Sequence, residues 1–265
     1  MVIDFHTHTF PDKIAEKSIS FLEHKGGIKA VCSATRSALA GVMSGGGADV
    51  SVVLPVATSP KQEHTINLLS AEINGNDNIY YFGAVHPGCE NVEETLDFIK
   101  ASGLRGIKIH PDYQGAYFDD ERYIKIIAEA AKRGLYIVTH AGVDVAYPDD
   151  VHCTPDMILT VLDRLDGIID GKLILAHMGS YGLPEEVLLK LCGRNVFMDT
   201  AAVLDLYPEK CAEIIKKHGA DKILFATDSP WKSQKAYIEL FNSLDIPSGC
   251  KEKILYKNGK NILQI

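Results

Sequence analysis

The chain has six cysteines but no CxxC pair or other ligand-type spacing among Cys32, Cys89, Cys153, Cys192, Cys211 and Cys250. A cysteine-built zinc or redox motif is thereby excluded, and reduced packing thiols in a cytoplasmic protein are expected. Cationic residues are also in deficit, with 27 Lys and Arg against 35 Asp and Glu, a formal charge of -8 and no basic cluster. Such a surface repels a phosphate backbone, so nucleic acid is not an expected partner. No window approaches the ~18 uninterrupted apolar residues of a membrane span, and the first residues are of strand type rather than a charged leader. Neither export nor membrane insertion is expected. A GxGxxG fingerprint is missing too. The run Gly45-Gly46-Gly47 lacks the Lys-Ser/Thr of a phosphate loop and leads into a strand, so it reads as a flexible turn.

What remains is a chain of 265 residues with 46% hydrophobic content, enough for one large core. Barrels of the α/β class are commonly about 250 residues long as one domain, and a single domain over residues 1–265 is expected. After a first strand at Val2 to Phe5, apolar runs recur at Asp49 to Ala57, Ile79 to Val85, Leu104 to His110, Leu135 to Thr139, Lys172 to Ala176, Asn195 to Asp199 and Lys222 to Thr227. Helical stretches separate them, with Ser59-Pro60, Thr154-Pro155 and an Asn91/Glu94 capping box as start signals. Parallel neighbours need crossovers of this length, so the pattern predicts an α/β (β/α)8 TIM barrel. A doubly wound open sheet is the structural alternative, and it would need a nucleotide fingerprint or a switch-point crevice.

In such a barrel the chemistry sits where strands end. His6 and His8 close the first strand, and their spacing of two sends both imidazoles to one face. His110 closes the fourth, His140 the fifth, His177 the sixth and Asp228 the eighth, each just after an apolar run. A zinc-type site takes three or four N/O ligands and keeps a position for water. His6, His8, His140 and Asp228 are the expected ligands. His177 is the expected acid/base, and Asp228 has a second role on the reacting water.

Five segments together resemble the amidohydrolase superfamily, in its amidohydrolase-related branch with the aminocarboxymuconate-semialdehyde decarboxylase-like enzymes. They are Asp4-Phe5-His6-Thr7-His8, Gly106 to Pro111, Val138 to Gly142, Leu175 to Gly179 and Phe225 to Pro230, in order over nearly the whole length. The resemblance implies a barrel, one divalent ion, usually zinc with manganese or iron as alternatives, held at His6, His8, His140 and Asp228, and an acid/base at His177. The tail Tyr256-Lys257-Asn258-Gly259 is similar to the closing helix motif but has Gly where Ala is usual.

Lys108 shares parity with His110, so both are candidates for touching substrate, and Lys108 is the one lysine placed to become a metal-bridging carbamate. Trp231, the only tryptophan, follows Asp228 closely enough to wall the pocket. Tyr113, Tyr117 and Tyr147 lie in loops on that side. His86 reads as structural, and His24, His64, His152 and His218 as surface residues. The leading functional expectation is a hydrolase in which metal-activated water attacks an amide, lactone or ester carbonyl of a small molecule. A non-oxidative decarboxylase, a carbon-carbon lyase using the same ligands, is the alternative. A TatD-type nuclease would need a glutamate ending the fourth strand, and a scaffold with a structural metal would need a closed site. A homodimer is left open.

Overall fold

The computed structural model describes residues 1–265. Nine strand segments run parallel: β1 (Ile3–Thr7), β2 (Val50–Val53), β3 (Ile79–Tyr81), β4 (Gly83–Ala84), β5 (Gly106–Ile109), β6 (Tyr136–Thr139), β7 (Leu173–Leu175), β8 (Phe197–Asp199) and β9 (Ile223–Leu224). They pair in sequence order, β1 to β3 and β4 to β9. β3 and β4 are two halves of one stave interrupted at Phe82, whose N–H still reaches Val53 O at 3.1 Å. The ring closes between first and last strands through Phe5 N to Phe225 O (2.9 Å), Asp228 N to His6 O (2.9 Å) and His8 N to Ser229 O (2.7 Å). The eight staves expected from sequence are therefore present as a closed (β/α)8 barrel.

Alternation sorts the strand side chains into two layers. Phe5, Val52, Phe82, Val138, Ile174, Phe197 and Leu224 fill the interior, and Ile262 and Leu263 of the last helix plug its lower end. Ile107, Ile109, Ile137, Leu173, Leu175 and Met198 face outward against the helices. The register of β1 against β2 slips between Asp4 and Thr7. This irregularity lets Phe5 pack in the interior while its neighbour His6 also reaches the axis, a re-aiming of side chains typical of bulges. Gly106 makes room at β5, where an added Cβ would lie 2.3 Å from Tyr136 O and 2.5 Å from the Phe82 ring. Gly259 explains the departure in the tail motif, since a Cβ there would meet Ile3 at 3.2 Å.

Several local expectations change. Asn91 makes no capping hydrogen bond to the helix Val92–Ala101, because its backbone takes φ -116 and ψ 59 rather than the extended form of an N-cap. The capping box forms instead at Ser59 and Gln62. The triple-glycine turn is tightly held: Gln234 Oε1 accepts from Ala48 N at 3.1 Å, and a Cβ on Gly47 would lie 2.3 Å from that oxygen. His218 is buried, with Nε2 donating to Val196 O (3.0 Å) and Nδ1 accepting from Gly193 N (3.1 Å). All six cysteines are unpaired. No helix is long and apolar enough to cross a membrane.

Candidate metal centre

Three ligand atoms meet at the mouth of the barrel. His6 Nε2 and His8 Nε2 are 3.2 Å apart, and Asp228 Oδ1 lies 3.2 Å from the second and 3.6 Å from the first. The tautomers follow from the far side of each ring. His8 Nδ1 faces Leu54 O at 3.0 Å, an atom that only accepts, so Nδ1 carries the proton and Nε2 a lone pair. His6 Nδ1 donates to Asp199 Oδ2 at 2.8 Å, which leaves its Nε2 bare as well. Two lone pairs and a carboxylate oxygen thus face one another with no proton between them. That repulsion is relieved by a cation at their centre. Bonds of about 2.0–2.1 Å in a tetrahedron put ligand atoms about 3.3 Å apart, which matches the spacing of the triad. The residues present therefore fit a divalent ion, with further positions open on the pocket side.

The electrostatics agree. Burial resists charging of Asp228, but the imidazoles of His8 and His6 beside it outweigh burial and hold the carboxyl well below the ordinary range. Burial, with Lys108 close by, holds the His6 imidazole well below its usual value, so it is neutral and able to ligate. Lys108 is enclosed under His6, its Nζ 3.4 Å from His6 Nε2. Burial pushes its amine down to about 8, against the pull of Asp199 and Asp228.

Asp199 has no role in the sequence reading, yet it organises the site. Its Oδ2 fixes His6, while Oδ1 accepts from His177 N (2.9 Å) and Ala201 N (3.0 Å). The signal was present: it closes the seventh strand after an apolar run, as the other site residues close theirs. Asp4 works behind the first strand, accepting from Thr227 N (2.9 Å) and Gln234 Nε2 (2.8 Å) and so tying β1 to the chain beyond β9.

His177 stands beside the triad, its ring centroid 5.4 Å from that of His6. Its backbone, at φ 59, and that of Asp228, at φ 72, are left-handed. Strain of this kind collects at functional sites. His177 Nδ1 donates to Ala201 O at 3.0 Å, and Nε2 lies 3.0 Å from His140 Nδ1. His140 is therefore one imidazole away from the triad rather than grouped with it. It stacks on His110 with centroids 4.3 Å apart, and these two gather with Asp144 as a second group of potential ligands. Of the four expected ligands, His6, His8 and Asp228 come together, and His140 is held by the His177 contact at its Nδ1 and by the His110 stack.

A pocket of about 290 Å³ opens above, lined among others by Asp228, His177, His140, Tyr181, Val143 and Trp231. Trp231 is thus among the residues that wall it. Lys108 and His110 do not line it; they lie beneath, behind His6 and His140. Tyr113 packs edge-on to His110 and to Tyr147, and Tyr117 reaches Asp150.

The amidohydrolase family profile matches residues 3–264. No curated protein sequence matches the chain. Among solved structures, a 2,6-dihydroxybenzoate decarboxylase from Rhizobium superposes with a TM-score of 0.73 at 18% identity, over 99% of this chain and 98% of the other. A dihydroxybenzoic acid decarboxylase from a Polaromonas species, solved with bound manganese and the inhibitor 2-nitroresorcinol, gives 0.72 at 16% identity, over 99% and 96%. A putative 2-pyrone-4,6-dicarboxylic acid hydrolase from Pseudomonas putida gives 0.67 at 16% identity, over 99% and 97%.

Proposed function

The chain belongs to the amidohydrolase family, and on that premise we propose that this enzyme is a metal-dependent decarboxylase of small hydroxylated aromatic or enolic acids. The observation that carries the reading is the adjacency of His177 to the His6, His8 and Asp228 triad, with His177 and Asp228 both lining one pocket. We assign the divalent ion to that triad and the catalytic domain to residues 1–265. When bound, the ion supplies Lewis acidity that orients and polarises the carboxylate and its neighbouring oxygen. Zinc, manganese and iron all suit imidazole and carboxylate donors.

The chain's own groups then do the following. Asp199 holds His6 in the ligating tautomer and, through the His177 N–H, sets where that imidazole stands. Ala201 O anchors His177 Nδ1–H, so Nε2 is the atom that exchanges a proton. As the bond from ring carbon to carboxylate breaks, carbon dioxide departs and its electron pair stays on carbon. His177 gives that carbon a proton and the C–H bond forms. Asp228 keeps a negative charge at the floor beside His177. Trp231 and Tyr181 offer faces for a planar ring, and Lys108 adds positive charge below the floor. We place the enzyme in the cytoplasm with a small molecule as its partner.

Decarboxylation is preferred to the hydrolysis first expected from sequence because similar structures include decarboxylases of this substrate type. Hydrolysis of a lactone or ester is the second reading, favoured by the similar pyrone dicarboxylate hydrolase structure. A panel of ortho-hydroxybenzoates and enolic acids, scored for carbon dioxide release, against lactones and esters, scored for acid production, separates the two. Carbon dioxide from the first set, with His177→Asn retaining metal and losing about a hundredfold in kcat, is the expected result. Acid from the second set with no carbon dioxide from the first would overturn it.

A further inference from the structure

The turn that begins at Asp228 also brings a cation to the pocket. Trp231 N donates to Asp228 O at 2.9 Å, so the chain doubles back and Lys232 lines the same pocket as Asp228 and Trp231. The Lys232 side chain is 28% exposed against 13% for Asp228, which sets it nearer the mouth. Its ammonium is tethered from outside the lining. Asp205, which is not part of the pocket wall, accepts from Lys232 Nζ on Oδ2 and from the Tyr237 hydroxyl on Oδ1. Burial opposes charging of Asp205, but these two donors outweigh it and keep the carboxyl below the ordinary range. An ammonium has three N–H groups and the Asp205 contact takes one, so two are left for a ligand. A second lysine of the lining, Lys29, is 85% exposed and pairs with Glu23 at 2.8 Å. A charge so open to water adds little.

Taking the pocket as the site of decarboxylation, we propose that Lys232 binds a second carboxylate of the substrate, remote from the one that leaves, an assignment that rests on that reading. Aromatic or enolic diacids are then the preferred substrates, and Lys232 determines specificity. A divalent ion faced by the single Asp228 carboxylate has surplus charge for the reacting carboxylate and no more. Lys232 is the remaining cation of the lining that is partly shielded from solvent. Asp144, the other acid of the lining, has one oxygen on Ala146 N at 2.8 Å and the other 3.5 Å from His110, and it pairs with neither lysine. Val143, Tyr181 and Trp231 supply apolar and aromatic wall. A volume of about 290 Å³ lies at the small end of the ~300–1,000 Å³ usual for small-molecule sites, which suits one ring carrying its substituents.

The test compares isophthalate with benzoate, which differ by one carboxylate and lack the ring hydroxyl of the proposed substrates, so that binding is read by calorimetry on manganese-loaded enzyme apart from turnover. Isophthalate should bind the wild type tighter by about tenfold or more, the scale of a hydrogen bond to a charged group. Lys232→Met should abolish that advantage and leave benzoate unchanged, Lys232→Arg should restore most of it, and Lys29→Met should keep it. Thermal unfolding shows whether Lys232→Met folds, and Lys232→Gln replaces it if it does not. Equal affinities for the two acids in the wild type, an equal loss for both in Lys232→Met, or loss of the advantage only in Lys29→Met would overturn the assignment. Carbon dioxide release from 4-hydroxyisophthalate and from 2-hydroxybenzoate separates the two levels of inference. Release from the second acid without any preference for isophthalate sinks the role of Lys232 alone, whereas a Lys232-dependent preference without release from either acid sinks the decarboxylase reading and leaves the carboxylate contact standing.

Discussion

Replacing Asp199 by Asn changes one atom behind the triad and should reverse a tautomer. In the native chain Asp199 Oδ2 accepts from His6 Nδ1 at 2.8 Å, while Oδ1 accepts two backbone N–H groups at 2.9 and 3.0 Å. An asparagine keeps its carbonyl oxygen on the two backbone donors, because turning round would set its NH2 against them. Its NH2 then meets His6 Nδ1–H, donor against donor, in a fully buried place. The conflict is relieved by moving the His6 proton to Nε2, where the lone pair of the ion site has to be. Losing such a supporting contact ordinarily costs about 10–100-fold in metal affinity, which is about 1.4–2.7 kcal/mol. Competition titration against a chelator measures the affinity, and nitrogen chemical shifts of His6 report the tautomer directly. A variant that binds metal within twofold of wild type with the His6 proton still on Nδ1 would refute the reasoning.

Two other outcomes test the frame around the site. Gly106→Ala should cost about 1–3 kcal/mol in urea unfolding, the usual scale of overpacking, because its Cβ collides with Tyr136 O and the Phe82 ring; an unchanged midpoint would contradict the packing described for β5. Burial raises the Glu63 carboxyl above its ordinary range, against the His86 N–H it accepts. Its contribution is therefore full below the unfolded value and is lost as pH rises through the folded one. Glu63→Gln should accordingly gain stability relative to wild type between pH 4 and pH 7, and equal differences at both would remove Glu63 as a source of pH dependence.

Most of the architecture was readable because strand ends and barrel chemistry coincide. Apolar runs closed by His6, His8, His177 and Asp228 located the triad and its neighbour without any contact being visible. The same grammar covered Asp199, but an aspartate ending a strand carries no distinctive spacing. Its importance comes from β7 and β8 being adjacent, which brings it under both His6 and His177. Parity also could not orient His140: it points inward as expected, but its ring is turned by the His177 hydrogen bond and the His110 stack. His218 reads as a surface residue in sequence, whereas both its ring nitrogens are spent on the backbone at Gly193 and Val196.

The central claim is that His6, His8 and Asp228 jointly hold one divalent ion. Anomalous diffraction from crystals loaded with manganese locates such an ion with no assumption about the reaction. The account requires a peak about 2.0–2.2 Å from His6 Nε2, His8 Nε2 and Asp228 Oδ1. Full manganese loading with no peak among those three atoms would contradict it.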